Sequence, residues 1–395
     1  MENNITINNR IPQLRFPGYT GDWEEKSFDV ICHTITPPLK LQSSQYSSSG
    51  KFPIVDQSQT LICGWTNDSS GLLRNAPYII FGDHTCVLKY IDFPFTQGAD
   101  GVKILGSNKK DNSKFIYQLL LSNPVKQDGY KRHFSDLKEK IFLLPPTLEE
   151  QTKIAECLSS IDEIISVEES KVESLKVHKK GLMQQLFPQP GATTPALRFP
   201  GFTGKWQEKK LNKVFSRVTR KNAENNQNVL TISAQYGLIS QLEFFKKSVA
   251  SSDVTGYYLL HRGEFAYNKS SSQGRPVGAI KPLRLYDKGV VSTLYICFKC
   301  NNPEEIDFWE QYFDAGILDS EILSIAQEGA RNHGLLNIST GDFFGLNVIL
   351  PTPPEMKKIA ECLSSFDDVI TAAENELDSL KSHKKGLMQQ LFPQL

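Results

Sequence analysis

Residues 153–160 read KIAECLSS, and the same eight letters recur 205 positions later at residues 358–365. The similarity returns at HKKGLMQQLFPQ, which occupies residues 178–189 and again residues 383–394. Internal repeats constrain a fold more tightly than any single predicted element, because each copy must build the same unit. We therefore interpret the 395-residue chain as two copies of one plan, each ending in the same long segment.

A second pair of matching blocks lies upstream of these segments. LRFPGYTGDW at residues 14–23 returns 183 positions later as LRFPGFTGKW at residues 197–206. Residues 24–145 and 207–350, by contrast, share no obvious similarity. We predict four parts: a leading segment with a first variable domain at 1–148, a long helix at 149–188, a second leading segment with a second variable domain at 189–353, and a second long helix at 354–395.

The two KIAECLSS segments have the pattern of long helices with an apolar seam. Apolar residues recur at alternating intervals of about four and three, which is the spacing of a coiled-coil interface. The first seam comprises Ile154, Leu158, Ile161, Ile165, Val172, Leu175, Leu182 and Leu186, and the second comprises Ile359, Leu363, Phe366, Ile370, Leu377, Leu380, Leu387 and Leu391. Since each helix leads from one variable domain to the other, we expect the seams to pack together with the helices antiparallel.

The variable stretches have the pattern of short strands and turns. In the first, the apolar runs at residues 78–81 and 86–90 are bounded by Gly, Asp and Pro, which predicts two strands. In the second, residues 289–298 predict one strand and residues 308–327 a helical stretch. The predicted fold class is α+β: two mainly β or mixed domains, separated by a long antiparallel two-helix coiled coil, with pseudo-two-fold symmetry.

Composition excludes several classes of protein. Lys+Arg and Asp+Glu both number 44, so the formal net charge is zero and does not by itself indicate a nucleic-acid binder. Seven Cys without a secretory leader make a disulfide framework improbable, and we expect a cytoplasmic protein. No run approaches about eighteen uninterrupted apolar residues, so we expect no transmembrane span.

Local charge, unlike net charge, favours nucleic acid. Residues 205–300 contain 16 Lys+Arg against 6 Asp+Glu, whereas residues 301–330 contain 8 acidic residues and no Lys or Arg. In the first variable stretch, residues 102–140 contain nine basic and four acidic residues. Basic segments of this kind are expected to face phosphates, although a solvated lysine surface explains any single cluster equally well.

Candidate base-reading residues combine amide, hydroxyl, imidazole and cationic side chains with Gly-rich turns. Such side chains match the donors and acceptors on base edges. In the first domain they are Trp65, Thr66, Asn67, His84, Thr85 and Lys103; in the second they are Tyr267, Asn268, Lys269, Ser270, Ser271, Arg275, Arg331, Asn332 and His333. For each one taken singly, a role in a turn or in the core is the alternative.

The helices give these candidates a geometry. About 37 helical residues at about 1.5 Å each form a rod of roughly 55 Å, which is commensurate with roughly 16 base pairs and suits two modules that read separated half-sites. LFPQ at residues 391–394 and PQLR at residues 12–15 together recreate the junction between residues 186 and 198. We therefore expect the head and tail of the chain to meet beside the first variable domain.

Sequence signals for catalysis and metal binding are weak. We find no Walker-type phosphate loop and no Asn-Pro-Pro-aromatic methyltransferase pocket, so we predict no catalytic residues. The acidic run at residues 22–26 loses Asp22 and Glu24 in its repeat copy, which argues against a metal site, and we interpret Trp23 and Trp206 as buried anchors. The pair Cys297 and Cys300 has no second pair at zinc spacing, so we predict no metal ligands.

Taken from LRFPG at residue 14 to the second KKGLMQQLFP at residue 384, the chain resembles the specificity subunits of type I restriction-modification systems. FGDHT at residues 81–85 and GADG at residues 98–101 resemble stretches common in one class of their target-recognition domains, and Leu350-Pro351 resembles the usual exit from the other domain. In that family, two target-recognition domains alternate with two helical regions that pair as an antiparallel coiled coil.

The resemblance implies a non-catalytic DNA-binding subunit that reads a bipartite, asymmetric site in double-stranded DNA. It implies two methyltransferase subunits and motor-nuclease subunits as partners, and no membrane. It also implies that this chain carries no cofactor, with S-adenosylmethionine, ATP and Mg²⁺ on the partner subunits. The alternative left by the residues alone is a coiled-coil scaffold with two protein-binding modules.

Overall fold

The computed structural model describes residues 10–129, 131–233, 236–245, 253–270, 276–328, 334 and 336–393. The chain divides into two compact units: residues 1–170 with 375–395, and residues 171–374. Within the described residues, no helix combines the length and apolarity needed to cross a membrane.

The first unit is built on two four-stranded sheets. The order β2-β9-β6-β7 is antiparallel throughout, β4-β3-β8-β5 contains one parallel pair, and β1 pairs with β10. The elements in chain order are β1 Glu24–Ser27, α1 Phe28–Ile31, β2 Cys32–Ile35, β3 Phe52–Val55, β4 Gly64–Thr66, β5 Leu72–Leu73, β6 Tyr78–Gly82, β7 Leu88–Ile91, β8 Phe95–Gln97, β9 Val102–Ser107, α2 Ser113–Ser122, α3 Phe134–Lys138, β10 Ile141–Leu144 and the start of the long helix α4 Leu148–Leu186.

The second unit repeats that central sheet with different sequence. Its order β12-β19-β16-β17 matches β2-β9-β6-β7, and the pair β11 with β22 matches β1 with β10. The elements are β11 Gln207–Lys210, α5 Leu211–Val214, β12 Phe215–Arg217, β13 Leu230–Ser233, β14 Gly237–Ser240, α6 Gln241–Phe245, β15 Tyr258–His261, β16 Phe265–Asn268, β17 Ala279–Pro282, β18 Lys288–Val291, β19 Ile296–Cys300, α7 Ile306–Asp314, α8 Asp319–Ile325, β20 Gln327–Glu328, β21 Leu336–Asn337, α9 Thr340–Gly345, β22 Asn347–Leu350 and the start of the long helix α10 Pro353–Leu391. The predicted fold class is confirmed.

Of two local predictions in the second variable domain, the single strand is wrong and the helical stretch is confirmed with one interruption. Residues 289–298 form parts of two strands, because Tyr295 N donates to Ser292 O at 3.1 Å and closes a turn between β18 and β19. The helical stretch at residues 308–327 splits into α7 and α8 around Gly316, whose φ of +71° lies in the left-handed region that ends helices. Apolar content alone could not place either break.

The long helices pair antiparallel within each unit, as predicted. In the first unit, Lys384 of α10 contacts Asp162 of α4 at 2.6 Å and Lys381 contacts Glu169 at 2.7 Å. The second unit repeats both ion pairs with the two helices exchanged: Lys179 with Asp367 at 2.6 Å and Lys176 with Glu374 at 2.6 Å. All sixteen predicted seam residues are buried or half-buried. Apolar residues off the seam, such as Ile164 and Val369, are exposed.

Each leading segment is fastened to a long helix by a buried ion pair. The guanidinium of Arg15 donates to both carboxylate oxygens of Glu150 at 2.7 and 2.8 Å, and that carboxylate side chain is only 1% exposed. Arg198 bonds Glu355 in the same way, with both distances 2.7 Å. Paired charges tolerate burial because the second charge and the hydrogen bonds replace the lost water.

A buried tryptophan completes each of these attachments. Trp23 is 1% exposed and packs edge-on against Phe392, with ring centroids 6.2 Å apart. Trp206 makes the equivalent contact with Phe187 at 6.3 Å. Leu14 N also donates to Gln390 O at 2.9 Å, so the head of the chain meets its tail in the first unit, as predicted.

Candidate nucleic-acid interface

In the first unit, the candidate residues His84 and Thr85 lie in the loop that joins β6 to β7. Thr85 Oγ1 donates to Gln57 O at 2.9 Å, and His84 N donates to Gln57 Oε1 at 3.2 Å. His84 Nδ1 lies 3.1 Å from Lys131 O, and Gln127 Nε2 donates to His84 O at 3.1 Å. The loop is therefore bonded both to Gln57 and to the segment that contains Gln127 and Lys131. The side chains of His84 and Thr85 are half-buried.

Lys103 reaches the same place from β9. Its Nζ lies 3.8 Å from a carboxylate oxygen of Asp83 and 5.3 Å from the ring centre of Phe134. Asp83 is 2% exposed and accepts a hydrogen bond from Phe134 N at 2.9 Å, while its own N donates to Gly101 O at 2.7 Å. The buried carboxylate of Asp83 fixes the loop through these contacts, and Lys103 stays partly exposed.

The other three candidates of this domain lie on the second sheet. Trp65 and Thr66 belong to the edge strand β4, where Trp65 N donates to Ser47 O at 2.9 Å. Asn67 follows directly and accepts a hydrogen bond from Lys51 N at 3.1 Å. Trp65 and Thr66 are half-buried and Asn67 is exposed.

Buried polar contacts hold this second sheet beside the β6–β7 loop. The hydroxyl of Tyr46 accepts a hydrogen bond from Ala99 N at 2.7 Å, and burial raises the pKa of Tyr46 to about 12. Lys89 Nζ donates to Asp56 O and Thr60 O at 2.7 and 2.5 Å, and burial lowers the pKa of this amine. The segment that contains Gln57 is therefore anchored immediately before it reaches the loop.

In the second unit, the candidates surround the loop that joins β16 to β17. Tyr267 is 0% exposed, its hydroxyl donates to Val277 O at 2.7 Å, and its ring stacks on Phe343. It is therefore a core residue with no surface to offer a base, and we remove it from the candidate set. The aromatic letter in a polar stretch suggested stacking, but strand alternation points this side chain inward.

The remaining described candidates of this loop are accessible. Asn268 and Lys269 are half-buried and Ser270 is exposed. Lys269 O accepts a hydrogen bond from Leu336 N at 3.0 Å, so the start of β21 borders this loop. Ser271, Arg275, Arg331, Asn332 and His333 lie outside the described residues.

The His84 loop of the first domain and the Lys269 loop of the second occupy one topological position. In each, the hairpin loop between the third and fourth strands of the central sheet is bonded to the segment that precedes the last short helix, α3 or α9. Sequence analysis missed three residues that contact this loop, Gln57, Gln127 and Lys131, and the exposed Arg132 that follows Lys131. The basic excess of residues 102–140 pointed to the last two, but nothing in the sequence placed them beside His84.

Packing alters the charge contrast within the second domain. At least five cations of residues 205–300 are paired with carboxylates: Arg220, Arg262, Lys281, Arg284 and Lys288. Three of the carboxylates come from the acidic stretch that follows, since Arg284 contacts Asp307 and Glu310 and Lys281 contacts Asp314. Part of the local positive charge is therefore neutralised inside the domain instead of being presented to solvent.

The Cys pair behaves as part of the core. Cys297 and Cys300 are 1% and 7% exposed on β19, and burial raises the pKa of their thiols to about 12 and about 11. Among the described residues, no group of three or more His, Cys, Asp or Glu side chains could hold a metal ion.

Comparison with known proteins gives consistent findings. Residues 20–177 match the family model of the type I restriction modification DNA specificity domain. Over 112 residues, the chain is 27% identical to the EcoR124I/EcoR124II type I restriction enzyme specificity subunit of Escherichia coli. This alignment covers 27% of this chain and 28% of that protein. The chain therefore aligns with little more than a quarter of that curated relative.

Solved structures extend the similarity to nearly the whole chain. The S subunit of a type I restriction-modification system from M. genitalium has a TM-score of 0.58 at 15% identity, over 97% of this chain and 99% of that one. A chain from a type I restriction-modification structure concerned with complex assembly has a TM-score of 0.48 at 14% identity, over 94% and 97% of the two chains. Residues 20–177 are thus similar to the type I restriction modification DNA specificity domain, and the fold of nearly the whole chain is similar to that of a type I restriction-modification S subunit.

Proposed function

We propose that this chain selects the DNA target of a type I restriction-modification complex. Each recognition domain, within residues 1–148 and 189–353, would read one half of a bipartite asymmetric site. The contacts would come from the central hairpin loop and the segment beside it: His84, Thr85, Lys103 and Arg132 in the first domain, and Asn268 to Arg275 with Arg331 to His333 in the second.

One observation carries this proposal: a single loop environment recurs on a single strand order in two domains of unrelated sequence. Loops on a rigid scaffold can change residue by residue without disturbing the core. Two domains with the same scaffold and different loops suit the recognition of two different half-sites by the same mode of approach. Trp65 and Thr66 on the edge strand β4, with Asn67 directly after it, would extend the contact surface of the first domain.

The paired helices suit repeated docking of one kind of partner. Ile164 and Val369 occupy equivalent positions 205 residues apart, and they are 53% and 51% exposed. Equal apolar positions on a two-fold repeat favour two copies of the same subunit. We propose two methyltransferase subunits there, with motor-nuclease subunits joining the assembly in the cytoplasm. S-adenosylmethionine, ATP and Mg²⁺ would bind those partners.

The test is methylation sequencing of genomic DNA from cells that carry the intact system. We expect one split motif with modified adenine in both halves, lost when the gene for this chain is deleted and restored when it is supplied again. A second test changes the proposed contact residues to Ala: Lys103, Arg132, Asn268 and Lys269. This variant should assemble with its partners and leave the motif unmethylated. A motif that persists in the deletion strain would contradict the proposal.

A further inference from the structure

Three side chains from three different helices meet in the first unit. Gln118 Nε2 of α2 donates to Asp162 Oδ2 of α4 at 2.9 Å, and Asp162 Oδ1 accepts a hydrogen bond from Lys384 Nζ of α10 at 2.6 Å. The carboxylate thus receives one bond from the recognition domain and one from the partner helix. We call this group the first Gln–Asp–Lys triad.

The second unit contains the same group. Gln311 Nε2 of α7 donates to Asp367 Oδ2 at 2.8 Å, and both oxygens of that carboxylate accept from Lys179 Nζ at 2.6 and 2.7 Å. Asp367 and Lys179 are the repeat copies of Asp162 and Lys384, with the two long helices exchanged. We call this group the second Gln–Asp–Lys triad.

The two glutamines come from the variable domains, where the sequence is not duplicated as a block. Gln118 lies in FIYQ at residues 115–118 and Gln311 in FWEQ at residues 308–311, so the two stretches share only Phe and Gln. Both glutamines are nearly fully buried, at 2% and 4% exposure. Each amide is bonded to its aspartate through Nε2, and the same bond at both equivalent positions indicates a specific contact instead of general packing.

The lysines are also held firmly. The side chains of Lys384 and Lys179 are only 14% and 12% exposed. Both lysines occupy positions in the largely apolar seam between the two helices. A shift of one helix by a heptad, about 10.5 Å, would carry each lysine out of reach of its aspartate. Each triad therefore ties two quantities together: the register of the helix pair, and the orientation of the recognition domain on it.

We infer that the Gln–Asp–Lys triads set the length of unread DNA between the two half-sites. This rests on the proposed function. One base pair shifts a half-site by about 3.4 Å and rotates it by about 35°, so a domain must be held to a small angle to reject a spacer that is one base pair wrong. A domain released from its triad keeps its loops, and hence its base preference, while its orientation becomes less restricted. The glutamines are positioning residues that act through the helices and not through DNA.

The experiment uses the complete complex with its native partners and DNA duplexes that carry the two half-sites at spacers of n−1, n and n+1, where n is the spacer found in the genome. Methylation rates give the discrimination between spacers. Gln118→Leu and Gln311→Leu remove the amide at similar volume, and Asp162→Asn and Asp367→Asn keep the shape while removing the charge. Glu169→Gln and Glu374→Gln are the matched controls, because they remove a carboxylate that joins helix to helix.

We expect each triad variant to lose about tenfold of its discrimination against the wrong spacers, roughly the factor of one hydrogen bond to a charged group. Single-base preferences in both half-sites should stay as in the wild type, and the control variants should keep wild-type discrimination. If a leucine variant fails to assemble, the asparagine variant at the same triad decides the result.

The outcomes separate the two proposals. Wild-type spacer discrimination in all assembled triad variants would overturn the spacer inference alone. Equal loss in the Glu169 and Glu374 controls would overturn it too, because general loosening of the helices would then suffice. A wild-type complex that methylates no bipartite site would overturn the proposed function, and the spacer inference with it.

Discussion

The two variable domains differ in sequence and periphery but agree wherever they meet the long helices. The first adds a complete second sheet, β4-β3-β8-β5, whereas the second has the two-stranded pairs β13-β14 and β15-β18 in its periphery. Both keep the same central strand order, the same pairing of the first and last strands, and a Phe-x-x-Gln stretch on the helix that follows the second strand of that order. The agreement covers the central sheet and the contacts with α4 and α10, and it does not extend to the peripheral strands.

This comparison shows which residues are constrained by the long helices and which can vary. Phe115 packs against Phe392 and Phe308 packs against Phe187, with ring centroids 5.6 and 5.8 Å apart, so each domain presents one aromatic to the same residue of the repeat. Residues that contact the duplicated helices must fit a surface that is the same in both units. Residues in the peripheral sheets and loops do not contact that surface and can vary. A chain built this way can change what it binds without changing how it is assembled.

The largest expected effect comes from exchanging one domain. Under the proposed function, replacement of residues 207–350 by the matching domain of a type I specificity subunit, with Gln311 and Phe308 retained at their positions, should abolish methylation of one half-site sequence and introduce another. The half-site read by the first domain should not change, because its scaffold and loops are untouched. Methylation sequencing measures both halves at once. A simultaneous change in both would mean that the domains do not read independently.

A smaller effect should separate buried from exposed ion pairs. Glu150→Ala leaves Arg15 without its buried partner and should destabilise the first unit by about 3 kcal/mol or more. Glu355→Ala should do the same to the second unit. Glu25→Ala removes an exposed carboxylate that contacts Arg10 at the same 2.7 Å distance, and should cost about 1 kcal/mol or less.

Hydrogen exchange of the full chain is the measurement for these variants. Amides of residues 14–23 should lose protection in Glu150→Ala, and amides of residues 197–206 should lose it in Glu355→Ala. Equal loss in both segments from either single change would argue that the two units open together, against the division at residues 170 and 374.

Much of the fold could be predicted because duplication and periodicity are properties of the letters themselves. The antiparallel helix pair and the meeting of head and tail followed from two repeats and from chain connectivity. The matching central sheets could not be predicted, since strand order depends on long-range pairing that dissimilar sequences do not reveal. The sequence of residues 289–298 predicts one strand, because the turn from Ser292 to Tyr295 contains neither Gly nor Pro.

The candidate interface was predictable only in part. The loops at His84 and Lys269 could be predicted from composition, because turn residues mixed with polar side chains form a local sequence pattern. Tyr267 was misjudged, since the same letters fit a buried strand end. Gln57 and Lys131 were missed because they reach His84 only through tertiary structure, across gaps of 27 and 47 residues.

The smallest effect compares two cations, one in each domain. Arg132 is exposed beside the His84 loop, whereas Arg284 is engaged by Asp307 and Glu310, at 2.9 Å for the latter contact. A cation that contacts phosphate releases counterions on binding, so Arg132→Gln should lower the slope of log affinity against log salt by about 1. Arg284→Gln should leave the slope unchanged, because its charge is already neutralised within the domain. Titration of the assembled complex onto its target duplex between about 50 and 200 mM salt measures both slopes. Equal slopes in the wild type and Arg132→Gln would place phosphate contact elsewhere on the first domain, and a flat wild-type slope would favour a protein-binding scaffold over a DNA reader.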